Sequence, residues 1–341
     1  MAPGGVWFSV STWQQPVPTV QSSQRRNVVV GVARLVDAVG DGRTRVAVDG
    51  RTGAGKTSFG HELAHALAAL DRPVFRASLD DFKRPWRDAH RDDRLSGEGY
   101  YRRAQDLSAI RQLLVDPAGP GGNGIVALCS IDPLTQVDHR DVTVSLPDAA
   151  VLIVDGVFAF RPELGRAWDL KIWLDVDPAT SLRRGTERDA TADGRAAAEA
   201  LHRTRYRVAD DLYLEEVDPV AVADVVIDNT DLDHPQLVRA PHWPGPGGTF
   251  RLMVPTKRPA DSRCRARRGR AGGRGGRARC RPRGRGQGGP SPRRRQRRGA
   301  GRCTRYRLGP QGQVGNGTSP PGMGEPVAAV VGHKDHLDMT T

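Results

Sequence analysis

The sequence predicts a three-layer α/β domain built on a parallel sheet, and three observations lead there. Short apolar runs alternate along the chain with segments of helical period. The runs are apolar at every position rather than at every second one, as strands covered on both faces are. The alternation fills residues 27–238 and then stops, so one domain accounts for it.

The elements follow in order. Residues 1–26 hold Gly, Pro, Ser, Gln and scattered Val, and read as a loose N-terminal extension. From Asn27 to Val39, Val28, Val32, Leu35, Val36 and Val39 recur at helical spacing until Gly40. Arg45-Val-Ala-Val-Asp49 is a buried strand, and after a glycine-rich turn Lys56 to Leu70 is a helix with Leu63, Ala64, Leu67 and Leu70 inward. Pro73 to Leu79 is a second strand. Asp106 caps a helix whose apolar face is Leu107, Ile110, Leu113 and Leu114. Val151 to Val154 and Leu170 to Leu174 are the third and fourth strands. Pro178 opens the next helix, and Ala223 to Ile227 is the last strand.

Charge divides the chain. The first 238 residues carry 28 Lys and Arg against 35 Asp and Glu, whereas residues 239–341 carry 24 against 4. The overall charge of +13 therefore describes neither part. The basic tail is mostly Arg, Gly, Pro and Ala, with too little apolar surface to offset the entropy of ordering it, so disorder is expected. Three readings of it stay open: an arm that attracts nucleic acid non-specifically, a solvated linker, or the out-of-frame product of a GC-rich gene. Four cysteines in 341 residues exclude a disulfide scaffold and point to a reducing, cytoplasmic setting. No apolar run is long enough to span a membrane, and residues 1–26 lack the basic-then-apolar layout of a signal peptide.

The strongest motif is Gly50-Arg51-Thr52-Gly53-Ala54-Gly55-Lys56-Thr57, followed by Ser58, between a strand and a helix. Glycines there let successive backbone N–H groups turn towards phosphates, and the helix N-terminus adds positive potential. Lys56 is placed to reach the β- and γ-phosphates, and the Thr57 hydroxyl is a Mg²⁺ ligand. ATP with Mg²⁺ is thus the expected cofactor. None of the five lysines lies in a guanine-recognising Asn-Lys-x-Asp. The third strand ends in Asp155-Gly156, not the Asp-Glu of motor ATPases. A small-molecule kinase remains. Such an enzyme needs an acceptor-side base, a metal carboxylate and cations over the transferred group. Asp80 and Asp81 end the second strand, at the sheet edge where ligands bind. Asp155 closes four apolar residues and so needs a partner. Arg183, Arg184, Arg188 and Arg195 follow the fourth strand.

The phosphate loop, Leu79-Asp80-Asp81-Phe82, Val154-Asp155-Gly156-Val157 and Leu182-Arg-Arg-Gly-Thr-Glu-Arg188-Asp189, in this order, resemble the uridine kinase family of P-loop kinases over about residues 30–233. Phosphoribulokinases and pantothenate kinases share the layout. The resemblance implies a five-stranded parallel sheet of order 2-3-1-4-5, with a lid after the fourth strand. It implies ATP-dependent phosphorylation of a hydroxyl on a nucleoside, uridine or cytidine by default, or on a similar metabolite. Asp80 matches the residue that takes the acceptor proton, and Asp155 the acidic residue near the metal. Arg184, Arg188 and Arg195 match lid arginines. Tyr100, Tyr101 and Asp132 fall where the family contacts its acceptor. The family's Asp-His-Pro-Asp-Ala-Phe-Asp is replaced by Tyr100-Tyr-Arg-Arg-Ala-Gln-Asp106, and its Tyr-Asp pair and following His by Ile131-Asp132 with Gln136. Two other readings are kept: a nucleotide-dependent nucleic-acid binder using the tail, and a kinase-like domain whose catalysis has decayed.

Overall fold

A computed structural model describes residues 5–13, 22–85 and 96–241. The basic tail, with the three readings attached to it, lies outside the described residues from His242 onward.

The central strands are β2 (Thr44–Gly50), β3 (Val74–Ser78), β6 (Val151–Asp155), β7 (Leu170–Asp175) and β8 (Val225–Asp228), all parallel. Their order, β3-β6-β2-β7-β8, is the expected 2-3-1-4-5. β2 lies at the centre, with Val46 beside Ile153 of β6 and Val48 beside Ile172 of β7. Alternate side chains divide between two cores. Val46, Val48, Val74, Ile153, Ile172 and Ile227 pack under α1 (Ser23–Asp37) and α2 (Lys56–Ala68). Phe75, Leu152, Val154, Trp173 and Val226 pack on the other side, under α3 (Gly97–Arg103) and α4 (residues 107–118). Burial on both faces is the physical reason these strands read as unbroken apolar runs.

The sheet is wider than five strands. β1 (Val6–Trp7) adds to one edge, parallel to β3, and β9 (Gln236–Arg239) adds antiparallel to the other. Residues 5–13 therefore correct the expectation of a loose extension: Val6 and Trp7 pair with Val74 and Phe75, and the Trp7 ring stacks on Phe75 at 4.8 Å and 12°. A two-residue strand is too short to show a period, so composition hid it. A small hairpin of β4 (Ile125–Ala127) and β5 (Thr143–Ser145) lies between α4 and β6.

Beyond β7 comes α5 (Pro178–Asp193), opened by the Asp177 side chain, which accepts from the Ala179 and Thr180 amides. Gly194, at φ +78°, breaks the chain into α6 (Arg195–Leu201). A π-spaced turn (His202–Tyr206) then leads into α7 (Arg207–Val217), and the short α8 (Pro219–Val222) precedes β8. This is the helix-loop-helix expected after the fourth strand. No helix among the described residues is long and apolar enough to cross a membrane.

Candidate active site

The phosphate loop leaves the carboxyl end of the central strand and enters α2. Gly53 (φ +81°) and Gly55 (φ +89°) hold left-handed backbone, which a side chain would strain. A Cβ on Gly53 would also sit 2.8 Å from the Ser181 carbonyl of α5. The loop is tied on both sides. The Asn229 amide, just after β8, donates to the Ala54 carbonyl at 2.7 Å, and the Ser181 hydroxyl donates to the Thr52 carbonyl at 2.6 Å. Lys56 Nζ donates to the carbonyls of Gly50 and Arg51, both at 2.9 Å.

A cavity of about 510 Å³ opens over this loop. Thr52, Gly53, Gly55, Lys56, Thr57 and Ser58 form its floor, and Asp80, Asp155, Arg184 and Arg188 stand on its walls. Gly50, Arg51 and Ala54 shape the loop from behind, Arg51 pairing with Asp211 at 3.3 Å. Of the two neighbouring carboxylates, Asp80 lines the cavity and pairs with Lys83 at 3.5 Å, whereas Asp81 is buried and accepts from the Ser9 hydroxyl at 3.0 Å. Arg184 donates to the carbonyls of Asn229 (3.0 Å) and Thr230 (2.7 Å), which holds α5 against the loop after β8. Arg188 is clamped by Asp189, whose second partner is the buried His202 at 2.7 Å. Arg183 pairs with Glu187 on the exposed side of the same helix.

Three predicted site residues lie elsewhere. Arg195 is exposed at the start of α6 and is not on the cavity wall, because Gly194 turns the chain away. Tyr101 packs edge-on against Phe158, 5.0 Å away, and donates to Glu216 at 3.1 Å, so it is core; its helical neighbour Tyr100 reaches the cavity. Asp132 is fully buried, and its carboxylate is saturated by the Thr12 amide and hydroxyl and by the amides of Leu134 and Thr135. Burial alone would raise its pKa, but these donors hold it at about 2.

Asp155 has a partner the sequence did not reveal. Arg76 Nη2 binds its Oδ1 at 2.7 Å, with both side chains almost wholly buried. Gly60 of α2 makes the room: a Cβ there would lie 2.6 Å from that guanidinium. The second oxygen of Asp155 accepts from the Thr57 hydroxyl at 2.6 Å, beside Lys56. Thr57 Oγ1 and Asp155 Oδ2 are thus two hard oxygens on the cavity wall. That set fits Mg²⁺, which takes one or two protein oxygens and completes its shell with water and phosphate. No cluster of three or more His, Cys, Asp or Glu suited to a metal occurs among the described residues.

Sequence reasoning also missed a charged layer beneath the loop. Asp49, fully buried at the end of β2, accepts from the Tyr213 hydroxyl (2.6 Å) and the amides of Gly50 (2.7 Å) and Ala159 (2.8 Å). Burial pushes its pKa up to about 6, although these donors and Lys56 oppose the rise. Asp210 of α7 accepts from the Thr52 amide at 3.1 Å, and burial raises it to about 7. Burial lowers Lys56 in turn, against the pull of Asp49, Asp210 and Asp155. On the far wall, Arg25 of α1 makes a buried bidentate pair with Glu62 (2.7 and 2.6 Å) and donates to the Asn229 side chain at 3.1 Å. The carboxylate closing the apolar run of β2 was a legible signal; the Arg25–Glu62 pair had none.

Fold and loop together give the chain the kinase-type P-loop α/β architecture. No family model matches the chain. It is 27% identical over 158 residues to uridine-cytidine kinase B of Dictyostelium discoideum, a match covering 46% of this chain and 63% of that protein. The chain thus spans less than two thirds of that relative's length. Among solved structures it is similar to a possible uridine kinase from Bacillus stearothermophilus, at 22% identity and a TM-score of 0.45, over 59% of this chain and 97% of the other. It is also similar to a candidate fructose transport system kinase from Silicibacter sp. TM1040, at 22% identity and a TM-score of 0.43, over 57% and 94%. The uridine kinase resemblance drawn from four motifs is met again by the curated relative.

Proposed function

We propose that the protein transfers the γ-phosphoryl group of ATP to a hydroxyl of a nucleoside or similarly sized metabolite. The observation that carries this reading is the meeting of the phosphate loop, Asp80 and two arginines of α5 on one cavity. In this reading the loop amides and Lys56 hold the triphosphate. Thr57 and Asp155 would hold Mg²⁺, which would supply charge neutralisation to the triphosphate. Asp80 orients the acceptor hydroxyl and takes its proton. Arg188 faces the transferred group, and Arg184 joins α5 to the loop after β8 so that the site excludes water.

The test is a phosphoryl-transfer screen with ATP and Mg²⁺ against nucleosides, pantothenate, sugars and sugar phosphates, with Lys56→Ala alongside. At least one acceptor should be phosphorylated by the wild type. Removing a positioned cation at developing charge should slow that transfer by roughly a hundred- to a thousandfold. ATP binding without transfer to any acceptor, or an undiminished rate in Lys56→Ala, would refute the reading.

A further inference from the structure

We propose that the N-terminal strap, residues 5–13, builds one wall of the acceptor subsite and that Trp13 selects acceptors carrying a planar heterocycle. This rests on the kinase reading above. Asp132, which the uridine kinase resemblance places at the acceptor, gives its carboxylate to Thr12 and to its own turn. It therefore has no oxygen left for a small molecule, and what it holds is the strap.

The strap is fixed along its length. Val6 and Trp7 pair with β3, and the Trp7 ring covers Phe75. Ser9 donates to Asp81, the neighbour of Asp80, at 3.0 Å. The Thr12 amide binds Asp132 at 2.6 Å. The Trp13 amide then donates to the Ser11 hydroxyl at 3.1 Å, and Trp13, partly buried, lines the same cavity as Asp80 and Tyr100.

Position in the sheet decides which substrate Trp13 meets. β1 and β3 form one edge, and β8 lies beyond β2 and β7 on the other side of the phosphate loop. Leu232 and Asp233, from the loop after β8, line the cavity on that far side. Anchors on Asp81 and Asp132 keep residues 9–12 on the β3 side, with Asp80. Trp13 thus belongs with the acceptor's base rather than with ATP. An indole face against a ring of that kind gains through stacking, which tolerates differences in the ring's polar edge.

The experiment compares the full-length wild type with Trp13→Ala and Trp13→Phe, using uridine and cytidine as ring-bearing acceptors and ribose and fructose as ring-free probes. KM for acceptor, KM for ATP and kcat are measured separately, with thermal unfolding as a control for folding. The wild type should favour the ring-bearing acceptors. Trp13→Ala should raise their KM by about ten- to a hundredfold, the scale of one base–aromatic stack. KM for ATP should stay within about twofold, and Trp13→Phe should restore most of the loss. Asp132→Asn, which weakens the Thr12 anchor without touching the cavity, should raise the acceptor KM in the same direction. If the wild type transfers phosphate to nothing, the kinase reading fails. If it transfers, but Trp13→Ala leaves the acceptor KM unchanged, changes the ATP KM instead, or the wild type prefers ribose or fructose, the strap inference is overturned while the kinase reading stands.

Discussion

Replacing Asp155 by Asn separates what that carboxylate does for the fold from what it does for the nucleotide. The amide keeps the shape. Its oxygen can accept from Arg76 and its NH₂ can donate to the Thr57 hydroxyl, so the geometry at 2.7 and 2.6 Å survives. What goes is the negative charge opposite a guanidinium that is 4% exposed. Breaking a buried pair from one side typically costs about 3–5 kcal/mol, because the remaining charge stays buried without compensation. Arg76 retains the Ile153 carbonyl at 3.3 Å and the Thr57 carbonyl at 3.5 Å, which places the cost near the lower end, about 3 kcal/mol. For a domain of this size each kcal/mol moves Tm by about 2–4 °C, so a fall of about 6–12 °C is expected.

The assay is thermal unfolding of wild type, Asp155→Asn, Arg76→Met and the double variant, each with ATP alone and with ATP plus Mg²⁺. The double variant should recover most of the loss, since neither charge is then left alone. A ligand that binds the folded state raises Tm in proportion to its binding free energy, so the increment that Mg²⁺ adds to ATP should shrink in Asp155→Asn. A Tm within about 2 °C of wild type together with additive single effects would refute the buried pair as an energetic unit. An unchanged Mg²⁺ increment would remove Asp155 from the metal site.

Three further outcomes are expected. Asp80→Asn should lower kcat by at least about a hundredfold, the scale of a positioned base, while Asp81→Asn should leave kcat near wild type; the reverse ranking in steady-state assays would show that the wrong carboxylate faces the acceptor. Stability should peak near pH 4. Burial holds Asp49 at about 6 and Asp81 and Asp210 at about 7, above their unfolded value, so what they contribute is full below about pH 4 and is lost as pH rises to about 7; Asp132 and Asp189, held at about 2, contribute above pH 4 and lose that contribution as pH falls towards 2. Unfolding profiles from pH 2 to 8 check this, and Asp81→Asn should flatten the alkaline limb. Gly185→Ala would place a Cβ 2.1 Å from His202 Cε1, a ring fixed by Asp189 and Tyr206, so it should destabilise by about 1–3 kcal/mol and raise the rate of proteolysis within α5; a Tm equal to wild type would show that the ring can move.

How much of this was legible in the sequence follows from the range of the interactions. The five central strands and the phosphate loop were readable because their signals are local: an apolar run, or a motif at fixed spacing between a strand and a helix. β1 and β9 were not, since edge strands of two and four residues hold too few positions to show a period. Asp155 closing an apolar run signals a carboxylate in need of a partner, but the partner, Arg76, lies 79 residues away inside another apolar strand, and no spacing rule links them. Arg25 and Asn229 are farther apart still, at 204 residues, and only the closing of the sheet brings both to the phosphate loop. Asp132 is the opposite case, for a local signal was present. Asp-Pro opens a turn in which the aspartate accepts the amides two and three residues on, as Asp132 does from Leu134 and Thr135. That turn chemistry, readable from Asp-Pro alone, occupies Asp132 Oδ1 without any ligand. The other oxygen of Asp132 is taken by the Thr12 amide, so the carboxylate is accounted for by protein donors alone.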